Sequence, residues 1–189
     1  MIGTSRSVHL KTSGHFHKSV LIPKQLHTKM VKRGRPQAYL ERALSDIGKE
    51  NKSGPSFGFS SMKDSNGTTS PDGKTLTFDP SKPAMQDARS AAGVIAEEGT
   101  HSADKQDPRA ATSPLSPFAM EFRGHQSNAW AVQGALGPDG GMQSTTNAGN
   151  TVTIWNPVDG HRETDAEITT QVSDDYGYGA TTPPNPWNN

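Results

Sequence analysis

The sequence predicts an α+β fold in which two main helices pack on a small antiparallel sheet. Two segments with helix-start signals and helical spacing of apolar residues, 84–104 and 117–136, predict the helices. Short segments in which apolar and polar residues alternate predict the strands. Hydrophobic residues make up only 30% of the 189 residues, so we expect one compact domain with looser segments around it.

Two strands are predicted before the first helix. Ser56–Met62 and Lys74–Asp79 each place apolar side chains at every second position. The segment between them contains Asn66-Gly67 and Asp72-Gly73, which are typical of turns. We therefore expect a strand, a loop and a strand, with the two strands paired antiparallel.

Helix-start signals precede both long helices. The first helix, 84–104, follows Ser81 and Pro83, and the second begins with Ser116 as its N-cap and Pro117 at its first position. The sequence after the second helix begins with a Gly-rich loop, and the tail after residue 176 is irregular. The remaining predicted elements are a strand over Thr151–Trp155 and a short helix over Arg162–Val172.

Charge divides the chain into two parts although the formal net charge is zero. Residues 1–50 hold ten Lys/Arg and three Asp/Glu, and are therefore basic. Residues 51–189 hold nine Lys/Arg and sixteen Asp/Glu, and are therefore acidic. The segment 48–56 is polar, contains Gly and Pro, and is typical of a boundary. We expect residues 1–53 to form a basic, largely flexible arm with one short helix near Pro36–Ile47, and residues 54–189 to form the folded domain.

Composition also excludes several classes of protein. The chain has no cysteine, which excludes disulfide scaffolds, cysteine nucleophiles and thiolate zinc sites. It has no apolar run of 18 residues and no secretory signal pattern. We therefore expect no contact with a membrane and synthesis in the cytoplasm, with later export left open.

The residues that point to chemistry lie on the two predicted helices. Glu97 and His101 are four residues apart, so a helix presents them on one face. Glu121 and His125 repeat this spacing on the second helix. Carboxylates and imidazoles bind zinc, so these four side chains are candidate ligands. Glu98 lies about 100° around the helix from Glu97, where it could act as the general base on a metal-bound water.

The segment 97–101 has the sequence E-E-G-T-H, which differs at one position from the H-E-x-x-H helix of zinc peptidases. Glu97 stands where that pattern has its first histidine. The pattern makes zinc the expected ion. Carboxylate is a harder ligand than imidazole and would shift the selectivity of the site toward manganese or iron. A degenerate site would hold no cofactor.

A purely structural explanation of the same residues stays open. Glu97 and Glu98 would then be solvated at the end of an Ala-rich helix. Glu121 would pair with Arg123 or face solvent, and His125 would hydrogen-bond a backbone carbonyl.

The stretch Phe78–Gly137 resembles bacterial zincin-like metallopeptidase domains, some of which lie at the ends of large polymorphic-toxin chains. Such domains carry an A-H-E-G-x-H-x-x-D pattern on one helix and an E-x-x-A-Y pattern on the next. The later segments TVTIWNP and TPPNPW are similar to their last strand and tail. The resemblance spans residues 74–189 and implies a zincin-like fold and a metal-dependent peptidase.

The resemblance also implies a role for each matching residue. Glu98 matches the general base, His101 a metal ligand and Glu121 the downstream ligand. Asp104 matches the aspartate that follows the motif, where it would orient His101.

Two positions depart from the pattern of the family. Glu97 replaces a histidine ligand, and His125 stands where relatives have tyrosine. His125 could supply the missing imidazole. The other outcome is a domain that keeps the fold and has lost the metal.

Three functions follow from these observations. The first is a metal-dependent hydrolase of protein or peptide substrates, with Tyr176, Tyr178 or His161 as candidate oxyanion donors. The second is an inactive domain of the same fold that acts as a binding or structural module. The third is a nucleic-acid-binding protein that uses the basic run Lys29–Arg35, although no aromatic residues are interleaved for base stacking. The sequence does not predict an oligomeric state.

Overall fold

The computed structural model describes residues 54–136 and 140–179, and these residues form an α+β fold, as predicted. The strands are β1 (Ser56–Phe59), β2 (Gly67–Thr69), β3 (Thr75–Phe78), β4 (Met142–Thr145), β5 (Thr151–Asn156) and β6 (His161–Arg162). The α-helices are α1 (Pro83–Gln86), α2 (Ala88–Lys105), α3 (Pro117–Leu136) and α4 (Asp165–Tyr176), with a 3₁₀ turn at Pro108–Ala111.

The first sheet has the strand order β1-β3-β2 and is mixed. The expected antiparallel pairing of the first two predicted strands is wrong, because β1 runs parallel to β3. The antiparallel partner of β3 is β2, which lies in the segment predicted as a loop. A tight turn at Gly73, with φ 72°, joins β2 to β3 as a hairpin. The hairpin leaves only the opposite edge of β3 for β1.

The first long helix is interrupted near its start. Asp87 is extended, and its side chain accepts hydrogen bonds from the N–H groups of Arg89 and Ser90, so it caps α2 and separates it from α1. The second long helix begins as predicted. The Ser116 hydroxyl accepts from the N–H of Ala119 at 3.1 Å.

The helices α2 and α3 pack closely along their length. A Cβ added at Gly93 would overlap the Asn128 side chain and lie 2.9 Å from Val132. The Thr100 hydroxyl donates to the Ser127 hydroxyl at 2.8 Å within the same interface. This close packing brings the polar faces of the two helices together.

The second sheet, β4-β5-β6, is antiparallel and covers the other side of α3. Its strand β5 confirms the strand predicted at Thr151–Trp155, whereas β4 lies in the segment predicted as a Gly-rich loop. The last helix begins later than predicted, because Thr164 and Glu167 form a capping box. That helix packs against α3 through a cluster of Phe118, Phe122, Ile168 and Val172.

Some predictions fall outside the described residues. They include the basic arm with its short helix at Pro36–Ile47 and the Pro-rich tail. Among residues 54–136 and 140–179, no helix combines the length and apolar character needed to cross a membrane.

Candidate metal centre

The packing of α2 against α3 brings three predicted ligands together. Glu97 and His101 from α2 and Glu121 from α3 each offer one ligand atom, and these atoms lie within 4.8 Å of one another. Nε2 of His101 is 3.4 Å from Oε2 of Glu121. Each ligand atom is therefore near enough to the others for one ion to contact all three.

His125, the fourth predicted ligand, lies beside this group. Its Nε2 is 4.0 Å from Oε1 of Glu97. The side chain is buried, and Nε2 has no hydrogen-bond partner among the described residues. A buried polar atom without a partner is costly in a folded protein, and a metal ion would supply the missing partner.

Two residues that the sequence did not single out shape the centre. A Cβ added at Gly124 would lie 2.8 Å from Cε1 of His101 and 3.0 Å from Cγ of Glu97, so a larger residue would force the two ligands to shift. Nδ2 of Asn128 donates to Oε2 of Glu97 at 2.9 Å, which leaves Oε1 facing His125. Gly124 lies three residues after Glu121 and Asn128 three residues after His125, the helical spacing that could have indicated them.

Glu98 lies next to the ligand group and is not part of it. Its carboxylate faces β2, where the hydroxyl of Thr69 donates to Oε2 at 2.6 Å. Burial raises the pKa of Glu98 to about 6, and the charge of Glu97 adds to this increase while that of His101 opposes it. A carboxylate with this pKa is a stronger base than an exposed glutamate and is still largely ionised at pH 7.

The protonation states of His101 and Glu121 depend on each other. Burial alone would lower the pKa of His101, but the hydrogen bond and charge of Glu121, together with nearby carboxylates, raise it to about 9. Burial would raise the pKa of Glu121, but the hydrogen bond and charge of His101 hold it below its usual value. Without a metal, the two side chains therefore form an ion pair.

Asp104 does not orient His101 as the family pattern implies. Its Oδ1 accepts from Nη2 of Arg123 at 2.8 Å in a buried ion pair. Nδ1 of His101 has no hydrogen-bond partner among the described residues. The alternative in which Glu121 pairs with Arg123 is also wrong, because Glu121 faces His101 and Arg123 pairs with Asp104.

Tyr176 reaches the centre from the end of α4. Its hydroxyl lies near the Glu121 carboxylate and helps to lower the pKa of that group, and its ring packs edge-on against His125 with centroids 6.2 Å apart. The side chain as a whole is 43% exposed, but its hydroxyl end is buried. This burial and the charges of the surrounding carboxylates raise the pKa of the phenol, which stays a proton donor. Of the three candidate oxyanion donors, His161 instead pairs with Glu167 at 2.9 Å, and Tyr178 stacks on Tyr176.

Comparisons with protein-family models, curated proteins and solved structures give no match. The resemblance to zincin-like domains therefore rests on the motifs that carry it.

Proposed function

We propose that this chain is a metal-dependent hydrolase of peptide substrates, with a centre formed by Glu97, His101 and Glu121. The observation that carries the proposal is the convergence of these three donors beside the buried Nε2 of His125, which has no hydrogen-bond partner among the described residues. Two carboxylates and one or two imidazoles are a donor set that zinc, manganese and iron accept. His125 would be the fourth ligand and would replace the imidazole lost at position 97.

The proposed reaction is the addition of water to a peptide carbonyl. A bound metal ion would polarise the carbonyl and lower the pKa of the attacking water. Glu98 would accept the proton from that water and return it to the leaving amine. The Tyr176 hydroxyl would donate a hydrogen bond to the negatively charged oxygen that forms.

The zincin-like identity is part of the same proposal. Its support is the pairing of a Glu98-containing ligand helix, α2, with a second helix that presents Glu121. The harder donor set, with Glu97 in place of a histidine, favours manganese or iron more than the usual zinc-peptidase set does.

A second candidate is an inactive binding or structural domain of the same fold. The observation that favours it is the ion pair between His101 and Glu121, because this pair gives both side chains a partner without a metal. In that case the centre would be a structural contact between α2 and α3.

A cleavage assay on the full chain would test the proposed activity. The chain would be loaded separately with Zn²⁺, Mn²⁺ or Fe²⁺ and incubated with a peptide library, with products identified by mass spectrometry. We expect metal-dependent cleavage that falls by about 10²–10⁴-fold in Glu98→Gln. The exposed Asp64→Asn would serve as the matched control and keep full activity. Metal-loaded protein that cleaves no peptide would contradict the proposal and favour the inactive domain.

A further inference from the structure

Two exposed tyrosines form a stacked pair next to the centre. The rings of Tyr176 and Tyr178 are nearly parallel, with an angle of 8° and centroids 5.9 Å apart. The two residues are 43% and 36% exposed. Large apolar side chains are otherwise mostly buried in the described residues, so an exposed aromatic stack beside a candidate active site suggests a contact surface.

The pair is held in a fixed position. Gly177, with φ 69°, ends α4 and turns the chain so that Tyr178 folds back over Tyr176. The loop between β4 and β5 fastens the end of α4, because the Asn147 N–H donates to the Asp175 carboxylate at 2.6 Å. The contacts of Tyr176 with Glu121 and His125 then set the distance from the pair to the centre.

The surroundings of the pair are strongly acidic. The charges that act most strongly on the Tyr176 hydroxyl are those of four carboxylates: Glu97, Glu121, Glu98 and Asp175. Without a metal, the protonated His101 offsets one of these four charges, and a bound divalent ion would offset two. The described residues as a whole contain fifteen Asp/Glu and eight Lys/Arg. Arg123 is engaged with Asp104, and Arg162 stacks on Trp130.

We propose that the Tyr176–Tyr178 pair is a substrate subsite that takes an arginine side chain of a peptide; this rests on the proposed hydrolase function. A guanidinium group stacks on tyrosine faces and is attracted by their π electrons. The field of the nearby carboxylates adds to that attraction. An aromatic or aliphatic side chain would gain the apolar contact and nothing from the charge, which makes the basic side chain the favoured occupant.

Binding of three matched tripeptide amides to the full chain tests the subsite. Acetyl-Ala-Arg-Ala-amide would be compared by NMR titration with its citrulline and phenylalanine counterparts, because citrulline keeps the shape of arginine without its charge. Titrations would be run both in EDTA and with Zn²⁺. We expect the arginine peptide to bind about tenfold more tightly than the other two, with the difference shrinking in high salt.

Two variants assign the binding to the tyrosine pair. Tyr178→Ala removes the outer ring and leaves the side chain that contacts Glu121, and it should abolish the preference for arginine. Phe59→Ala removes a similarly exposed aromatic side chain from β1 and should leave binding unchanged. Equal binding of the citrulline or phenylalanine peptide, or an unaltered preference in Tyr178→Ala, would overturn the proposal.

The same measurements separate this proposal from the hydrolase itself. Arginine-selective binding in EDTA, combined with no cleavage in the metal-loaded chain, would retain the subsite and reject the hydrolase. Metal-dependent cleavage with no preference for arginine would retain the hydrolase and reject the subsite.

Discussion

Glu163 should make the stability of the protein fall as pH rises. This carboxyl group lies between β6 and α4, is only 5% exposed, and has no hydrogen-bond partner for either oxygen among the described residues. Burial raises its pKa from 4.5 to about 8, and the charges of Glu167, Glu97 and Asp175 add to the increase. The folded protein therefore keeps a proton on Glu163 at pH values where the unfolded chain has lost it.

The sign and size of the effect follow from this difference. Below pH 4.5 both states are protonated, and the group has no differential effect on folding. Between pH 4.5 and about 8 the folded state binds more protons, so the free energy of unfolding falls by about 1.4 kcal/mol per pH unit. Replacement by Gln removes the titration. Relative to the wild type, Glu163→Gln should gain roughly 3 kcal/mol between pH 5 and pH 7.5.

Urea denaturation at several pH values, with EDTA present, measures this gain. The amide of Gln adds an offset that does not change with pH, so the slope is the informative quantity. Asp64→Asn, at a site whose side chain is 82% exposed, serves as the control and should follow the wild type at every pH. A constant difference between Glu163→Gln and the wild type from pH 5 to pH 7.5 would refute the reasoning.

Two further predictions concern contacts between α2 and α3. Gly124→Ala would place a methyl group 2.8 Å from His101 Cε1, so metal affinity measured by competition with a chelator should fall at least about tenfold. Gly58→Ala, whose added Cβ would lie 3.5 Å from its nearest neighbour, should leave the affinity unchanged, and an equal loss in both variants would contradict this account. Arg123→Met would remove the guanidinium that donates to Oδ1 of the buried Asp104, and the free energy of unfolding from urea denaturation should fall by about 3–5 kcal/mol. A loss below about 1 kcal/mol would show that the ion pair does not stabilise the fold.

Local signals predicted the long helices and failed on the pairing of the strands. The start of α3 follows from Ser116 and Pro117, which act within one turn and need no tertiary contact. The parallel pairing of β1 depends on which edge of β3 the hairpin leaves free, and β2 is only three residues long. Strand pairing of this kind is set by contacts between segments, so alternation along one segment does not specify it.

Only part of the candidate centre could be predicted, because local spacing does not specify the contact between the two helices. Helical spacing placed Glu97 with His101, and Glu121 with His125, on shared faces. Whether these two faces meet depends on how α2 crosses α3, and small side chains such as Gly124 decide that approach. The expectation that Asp104 orients His101 is wrong, because Asp104 pairs with Arg123 from the other helix.

The metal content of the purified full chain tests the central claim most directly. Elemental analysis would compare the wild type with His101→Ala and Glu98→Gln, so that metal bound by the four histidines of residues 1–53 cancels in the difference. The account predicts that the wild type and Glu98→Gln hold about one equivalent more of zinc, manganese or iron than His101→Ala. Equal metal content in all three proteins, each still folded, would contradict it and leave His101 and Glu121 as a structural ion pair.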